Sequence, residues 1–292
     1  MPSQIYAQIK SGLRNLNPNE VREMADRPLS VGLIASSAAG FAAMEDLLAP
    51  PSPSQARPCK VGRLPDGAAE AANRFDLVLC ESELLAPAHA FRFDPADPVR
   101  TVREIVERRE DLRLALARNF RRFRRPVIAK IVQAISRENA AFCLLTALPD
   151  VLPSVIELPW VAGEFASDTA FLTMNQVRMA FLIAGASDQD VGYRDQRAQI
   201  AGIVAGAFGW RALARELAGK IPFGGGLIPK AAISYAGTFT VGVGLERFYR
   251  IGYGLSREER RRIYEKALRR GRSLVASLVE AARMHGPTGI EE

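Results

Sequence analysis

VGLIASSAAGFA, residues 31–42, decides how the first third of the chain is read. Val31–Ile34 is a strand-like apolar run, Ala35–Ala39 a turn of small residues, and Gly40 opens what reads as a helix. A phosphate-binding loop has this outline, strand, small-residue turn, then helix. The side chains that grip phosphate are missing from it. The stretch is therefore either a buried strand turning into a helix or the shape of a phosphate loop without its chemistry. Both readings predict a fold without phosphoryl transfer.

Working outward, LSVGLIA (29–35) reads as a strand and GFAAMEDLL (40–48) as a helix. After the loop APPSPSQARP come a strand in CKVGRL, a short helix in DGAAEAAN, a buried-type strand in FDLVLC (75–80) and a weaker one in AFRF (90–93). Strands alternating with helices predict a small, partly parallel sheet. Before this region, NLNPNEVREMADRP is a helix, with Asn17 as cap, Pro18 in the first turn and Pro28 as its stop.

From Asp97 onward the pattern is helical. Val99, Val102, Val106, Leu112, Leu116, Phe120 and Phe123 recur at three- and four-residue steps with a gap near Arg109, which predicts one amphipathic helix or two in line. A further helix restarts after Pro126, and PDVLPSVIELPW is apolar but broken by prolines. SDTAFLTMNQVRMAFLIAGAS is a helix capped by Ser167 or Asp168 and ended by Gly185. RDQRAQIAGIVAGAFGWRALARELAGKIP is another, stopped by Pro222. The last begins with Ser256 and Glu259 at capping-box spacing. No internal repeat is visible. The fold class expected is α+β, mostly α: N-terminal helices in 1–28, a small α/β domain in 29–96, a larger helical bundle with apolar hairpins in 97–284 and a loose tail in 285–292.

Composition narrows the function classes. Of 292 residues, 48% are apolar and 24% charged, so the chain can bury a core. Lys and Arg number 39 against 32 Asp and Glu, a mild excess that matters only where it clusters. Cys59, Cys80 and Cys143 are odd in number and far apart, which builds neither a disulfide framework nor a metal spacing. With His89 and His285 as the sole histidines, a His/Cys zinc site is not expected. Cys80 ends an apolar run and Cys143 lies inside one, so both read as buried structural thiols. The N-terminus has no basic and then apolar leader pattern, which with the thiol usage points to the cytoplasmic side. No catalytic residue, metal or cofactor is assigned.

NQVRMAFLIAGASDQ and AGAFGWRALARELAGKIPFGGGLIPKAAISYAGTFTVGVGLERFY stand in the order, and with the Ile-Pro turn, Gly-rich turn and YAGT helix, of a bacterial helical domain. The span 169–270 resembles this YcjF-like domain of unknown function (family 697 among such domains). The resemblance implies membrane association, an accompanying small GTPase domain and no established catalytic residues.

That implication supplies a register for 31–42. Aligned with a small-GTPase phosphate loop, Ala35 takes the place of the first Gly, Gly40 the second, Phe41 the Lys and Ala42 the Ser/Thr. The Lys gives charge to the terminal phosphates and the hydroxyl holds magnesium, and Phe41 and Ala42 can do neither. FDLVLCESELL lacks an Asp-x-x-Gly, with Glu81 a poor substitute, and AFRFDPADP retains only Asp94 and Asp97 where a guanine-reading motif would stand. The N-terminal region therefore resembles a degenerate, P-loop-lacking GTPase fold, and an active NTPase is not expected.

Two basic runs flank the apolar half. ARNFRRFRRP carries Arg118, Arg121, Arg122, Arg124 and Arg125, and SREERRRIYEKALRRGR carries Arg260 through Arg272 among acids that can pair them. Either run is a solvated helix face or a contact to an anionic surface. Between them GGGLIPKAAISYAGTFTVGVGL has about 22 residues with Lys230 as its one charge, long enough for a bilayer core of ~30 Å. The same segment fits a buried helix of a bundle. The expected function is a non-enzymatic, membrane-associated interaction or scaffold protein at the cytoplasmic face of the bacterial inner membrane. Its expected partners are the membrane surface (through the first arginine run and Lys230) and a GTPase or a second copy, with no specific nucleic acid. The alternatives are a nucleotide-responsive switch and a soluble helical scaffold in the cytoplasm.

Overall fold

The computed structural model describes residues 16–50, 59–146, 168–205 and 227–284. These form two compact units, one of Asn19–Lys130 with Ala184–Val191, the other of the described residues in 1–18, 131–183 and 192–292. The architecture is α+β and mostly α, as the sequence predicts.

The first unit is built on a four-stranded parallel sheet in the order β2-β1-β3-β4, with β1 Leu29–Ile34, β2 Cys59–Leu64, β3 Leu77–Glu81 and β4 Phe91–Phe93. Helix α1 (Pro18–Asp26) precedes β1, α2 (Ala38–Leu47) crosses to β2, and the single turn α3 (Ala69–Ala72) leads to β3. The central strands are buried on both faces. Val31 and Leu33 on β1 and Val78, Leu79 and Cys80 on β3 are fully inaccessible. This is why β1 and β3 read as continuous apolar runs rather than as alternating ones. The edges are blunted, β2 by Lys60 and Arg63 and β4 by its three-residue length. At the start of the sheet the Asp76 carboxylate accepts from the Ser30 amide (2.9 Å) and hydroxyl (2.7 Å), fixing β3 beside β1. Burial raises the Asp76 pKa, but the Ser30 hydrogen bonds and Arg27 outweigh it and hold the carboxyl below its usual range.

The sheet unit extends past the boundary expected at residue 97. Helix α4 (Pro98–Arg108) buries Val102, Ile105 and Val106, and the Thr101 hydroxyl bonds the Arg92 carbonyl at 3.0 Å. The chain breaks at Arg109, where the apolar spacing has its gap. A 3₁₀ turn (Glu110–Leu112) then leads to α5 (Arg113–Asn119). Helix α6 (Arg121–Leu145) starts before Pro126 rather than after it. Phe120 is extended and ends α5, so a new helix begins at once, and Pro126 removes one internal bond in its second turn. The division between units falls inside α6, between Lys130 and Ile131.

The second unit contains Ile131–Leu145 of α6, most of α7 (Asp168–Ala186), a helical stretch at 197–205, α8 (Leu227–Ile251) and α9 (Arg257–Met284). Ala140, Cys143, Leu144, Ala231, Tyr235, Ala236, Ala267 and Val275 form one core cluster in it. Helix α7 shows no single apolar stripe because it is buried nearly all round, with Phe171, Met174, Val177 and Phe181 among its buried residues. At Gly242 of α8 a Cβ would stand 2.6 Å from a Val132 methyl of α6, so glycine is what lets these helices approach. No helix among the described residues is long and apolar enough to cross a membrane. This corrects the spanning reading of the stretch ending at Leu245. Within it α8 buries Thr238 and Thr240, and its last turns carry Glu246, Arg247 and Arg250. The proline-broken segment 149–160, the cap at Ser167, the Pro222 stop, the Gly-rich turn at 223–226 and the tail lie outside the described residues.

The capping box at α9 is present in both directions. The Glu259 amide donates to the Ser256 hydroxyl (3.2 Å), and the Ser256 amide donates to the Glu259 carboxylate (2.9 Å). The Ser256 amide, the Arg247 guanidinium and the Ser256 hydroxyl together lower the Glu259 pKa from an ordinary 4.5 to about 2. A depressed folded-state pKa stabilises the fold above the unfolded value, and this contribution is lost as pH falls from about 4.5 towards about 2. We expect Glu259→Gln to flatten the acid loss of helical circular dichroism across that window. Equal acid sensitivity in the two proteins would refute the assignment.

Candidate functional site at the β1–β3 mouth

In an open parallel sheet, ligands bind beyond the carboxyl ends of strands where the chain reverses its direction of winding. The order β2-β1-β3-β4 puts that reversal between β1 and β3. The residues there are Ala35–Gly40 after β1 and Glu81 at the end of β3.

The turn after β1 is shorter than the phosphate-loop register requires. Helix α2 begins at Ala38, with Ser37 as an extended N-cap whose hydroxyl accepts from the Gly40 amide at 3.0 Å. Gly40, Phe41 and Ala42 therefore lie inside the helix. The Phe41 amide bonds the Ser37 carbonyl (3.1 Å), and the Phe41 ring lies under the Arg63 guanidinium, 5.2 Å from its centroid. Ala35 is buried, and Ala42 is exposed.

The Ser36 and Gly40 donors of this turn are already occupied. The Ser36 amide and hydroxyl both donate to Glu81, at 2.8 and 2.7 Å. These two hydrogen bonds, the amide's first, lower the Glu81 pKa and keep it a carboxylate. The other Glu81 oxygen sits 2.7 Å from where a Cβ at Gly40 would be. Glycine at 40 thus makes room for the chain's own carboxylate. The acids of the next strand end are equally committed, Asp94 to the Ala96 amide (2.8 Å) and Asp97 to the Arg100 amide as the α4 cap (3.1 Å).

The arginine run does not form one face. Arg118 is 5% exposed, with its Nε 3.0 Å from Asp26 and 3.6 Å from Asp188, and it donates to the carbonyls of Gly185 (3.3 Å) and Gln189 (2.8 Å). It offers no charge to an outside surface, which corrects its reading as a membrane or partner contact. Arg122 pairs with Asp46 at 2.5 Å. Arg124 is half-buried over the Ala117 carbonyl, and burial lowers its pKa. Arg121, Arg125 and Lys230 are exposed.

A buried polar junction joins α6, α7 and α8. The Asn139 amide donates to the Thr238 hydroxyl (2.8 Å), Gln176 donates to the same oxygen (3.2 Å), and Asn175 donates to the Asn139 carbonyl oxygen (2.9 Å). Glu138 and Arg178 close it with a 3.0 Å ion pair. NQVRM of α7 and YAGT of α8 therefore meet in space. Asn139 was not legible as their third partner. A mid-helix Asn in RENAAF is an ordinary solvated residue until its neighbours, 36 and 99 positions away, are known.

None of the three cysteines is in a disulfide. Cys80 and Cys143 are buried, and burial followed by Asp76 raises Cys59 to about 11, far from a reactive thiolate. Among the described residues no group of three or more His, Cys, Asp or Glu is placed to hold a metal ion. No family model, curated protein or solved structure matches the chain.

Proposed function

We propose that the chain is a non-enzymatic interaction protein of the YcjF-like kind, a peripheral scaffold at the cytoplasmic face of the bacterial inner membrane. It would work with a GTPase or with a second copy of itself. The observation that carries the non-enzymatic part is the self-occupied mouth. Phosphoryl transfer needs backbone N–H groups and a cation turned towards the phosphates. Here Ser36 gives its amide to Glu81, Gly40 gives its amide to Ser37, and Phe41 stands in the register of the lysine. A negative carboxylate in that place repels the ligand a phosphate loop attracts.

Calorimetry with GTP, GDP and ATP in the presence of magnesium tests this reading. The expected result is binding weaker than ~1 mM, less than about 4 kcal/mol of binding free energy. Tight, magnesium-dependent binding overturns it in favour of a nucleotide-responsive switch. The membrane part rests on exposed basic residues within each unit taken by itself, Arg121 and Arg125 in the first and those of α9 in the second. Cell fractionation with a salt wash checks it, since screening releases a protein held by charge.

A further inference from the structure

We propose that the tip of the α8–α9 hairpin seats in the headgroup layer of an anionic bilayer, with Phe248, Ile251 and Tyr253 as its apolar contacts. This rests on the peripheral-membrane reading above and names the surface that serves it. Large exposed apolar side chains scattered singly need no explanation, but a cluster does. Phe248 is 38% exposed, Ile251 37% and Tyr253 61%, all within one helix end and its turn. Phe248 and Ile251 are three apart and share a helix face. Their neighbour Tyr249 points inward, where burial lifts its hydroxyl pKa to about 12.

The tip is a held structure rather than a frayed end. Gly252 adopts a left-handed φ of 83°, and its amide closes on the Phe248 carbonyl at 2.8 Å. Arg247 reaches Glu259 at 2.5 Å and lays its guanidinium over the Tyr253 ring, 5.3 Å from the centroid. The α9 capping box fixes the other side of the turn. The aromatic residues are thus presented in place, so little ordering is needed on binding.

Charge selects the occupant. Arg257–Arg272 carries eight Lys and Arg against three Glu, and the basic residues are exposed. Aromatic rings at headgroup depth backed by arginines are the composition of an interfacial anchor, and the cations favour an anionic surface over a neutral one.

Flotation of the full-length protein tests the proposal. The vesicles are phosphatidylcholine alone or with ~30 mol% phosphatidylglycerol. Wild type is expected to float with the anionic vesicles and not with the neutral ones. The triple variant Phe248→Ser, Ile251→Ser, Tyr253→Ser should lose about tenfold in binding at low and high salt alike. Arg269→Glu with Arg270→Glu should lose binding chiefly at low salt. Should the triple variant misfold by circular dichroism, Tyr253→Trp decides, with a blue-shifted emission over wild type expected on adding anionic vesicles. Wild-type flotation with an unaffected triple variant, or an unshifted Tyr253→Trp, overturns the tip while leaving the peripheral-membrane reading intact. Wild type that ignores both vesicle types overturns both, and leaves the tip as a protein-docking surface.

Discussion

Arg118→Leu is expected to cost the sheet unit about 3 kcal/mol or more, at the level of breaking a buried ion pair from one side. The guanidinium lies between Asp26 and Asp188 and donates to two carbonyls at the end of α7. Asp26 is 41% exposed and can return to water, so its share is small after screening. Asp188 is 7% exposed and would lose this guanidinium while staying out of water. Arg118→Lys should fall between the two, because one ammonium cannot replace a planar fork that bonds in several directions. The exposed Arg121→Leu is the control and should stay within about 0.5 kcal/mol of wild type. Urea midpoints at constant slope measure all three. Similar midpoints for Arg118→Leu and Arg121→Leu would show that the buried cluster is energetically idle.

The second large effect is expected at Asn139. Asn139→Leu keeps the branching of the side chain but takes from Asn175 one of its two acceptors and from Thr238 one of its two donors inside a buried junction. Both groups keep one partner, Asn175 with Glu138 and Thr238 with Gln176, so a loss of about 1–3 kcal/mol is predicted rather than the sum of two full penalties. Thr238→Val on the Asn139→Leu background should then cost less than it does in wild type, since the broken partner is already gone. A double-mutant cycle reads this as a coupling of about 1 kcal/mol or more. Additive losses would mean that the two side chains do not share a network.

The elements legible in the sequence are those governed by local rules. The apolar runs of β1 and β3, the helix break at Arg109 and the Ser256–Glu259 box follow from neighbours a few residues apart. Three features depend on distant residues and escaped that reading. Helical periodicity continues straight through α6, so nothing local marks the division between Lys130 and Ile131. A cluster of five arginines reads as one basic face, yet the acids that bury Arg118 come from Asp26 and Asp188. The phosphate-loop register counts residues between two glycine positions, but Ser37 caps the helix early and draws Gly40 into it. The position of Glu81, 41 residues beyond Gly40, shows what glycine there leaves room for, beside the neighbouring Ala35 side chain.

That last dependence constrains how the chain can change over evolutionary time. Positions 40 and 81 are coupled through the Glu81 carboxylate. A side chain added at 40 displaces the carboxylate from Ser36, while a carboxylate lost at 81 strands the Ser36 amide. Neither single step leads towards a ligand site, since the first crowds the mouth and the second empties it without supplying a cation. A lineage that began with a phosphate loop and acquired Glu81 would find the route back closed to single substitutions. Its further adaptation would then accumulate elsewhere, on surfaces free to vary without such a partner.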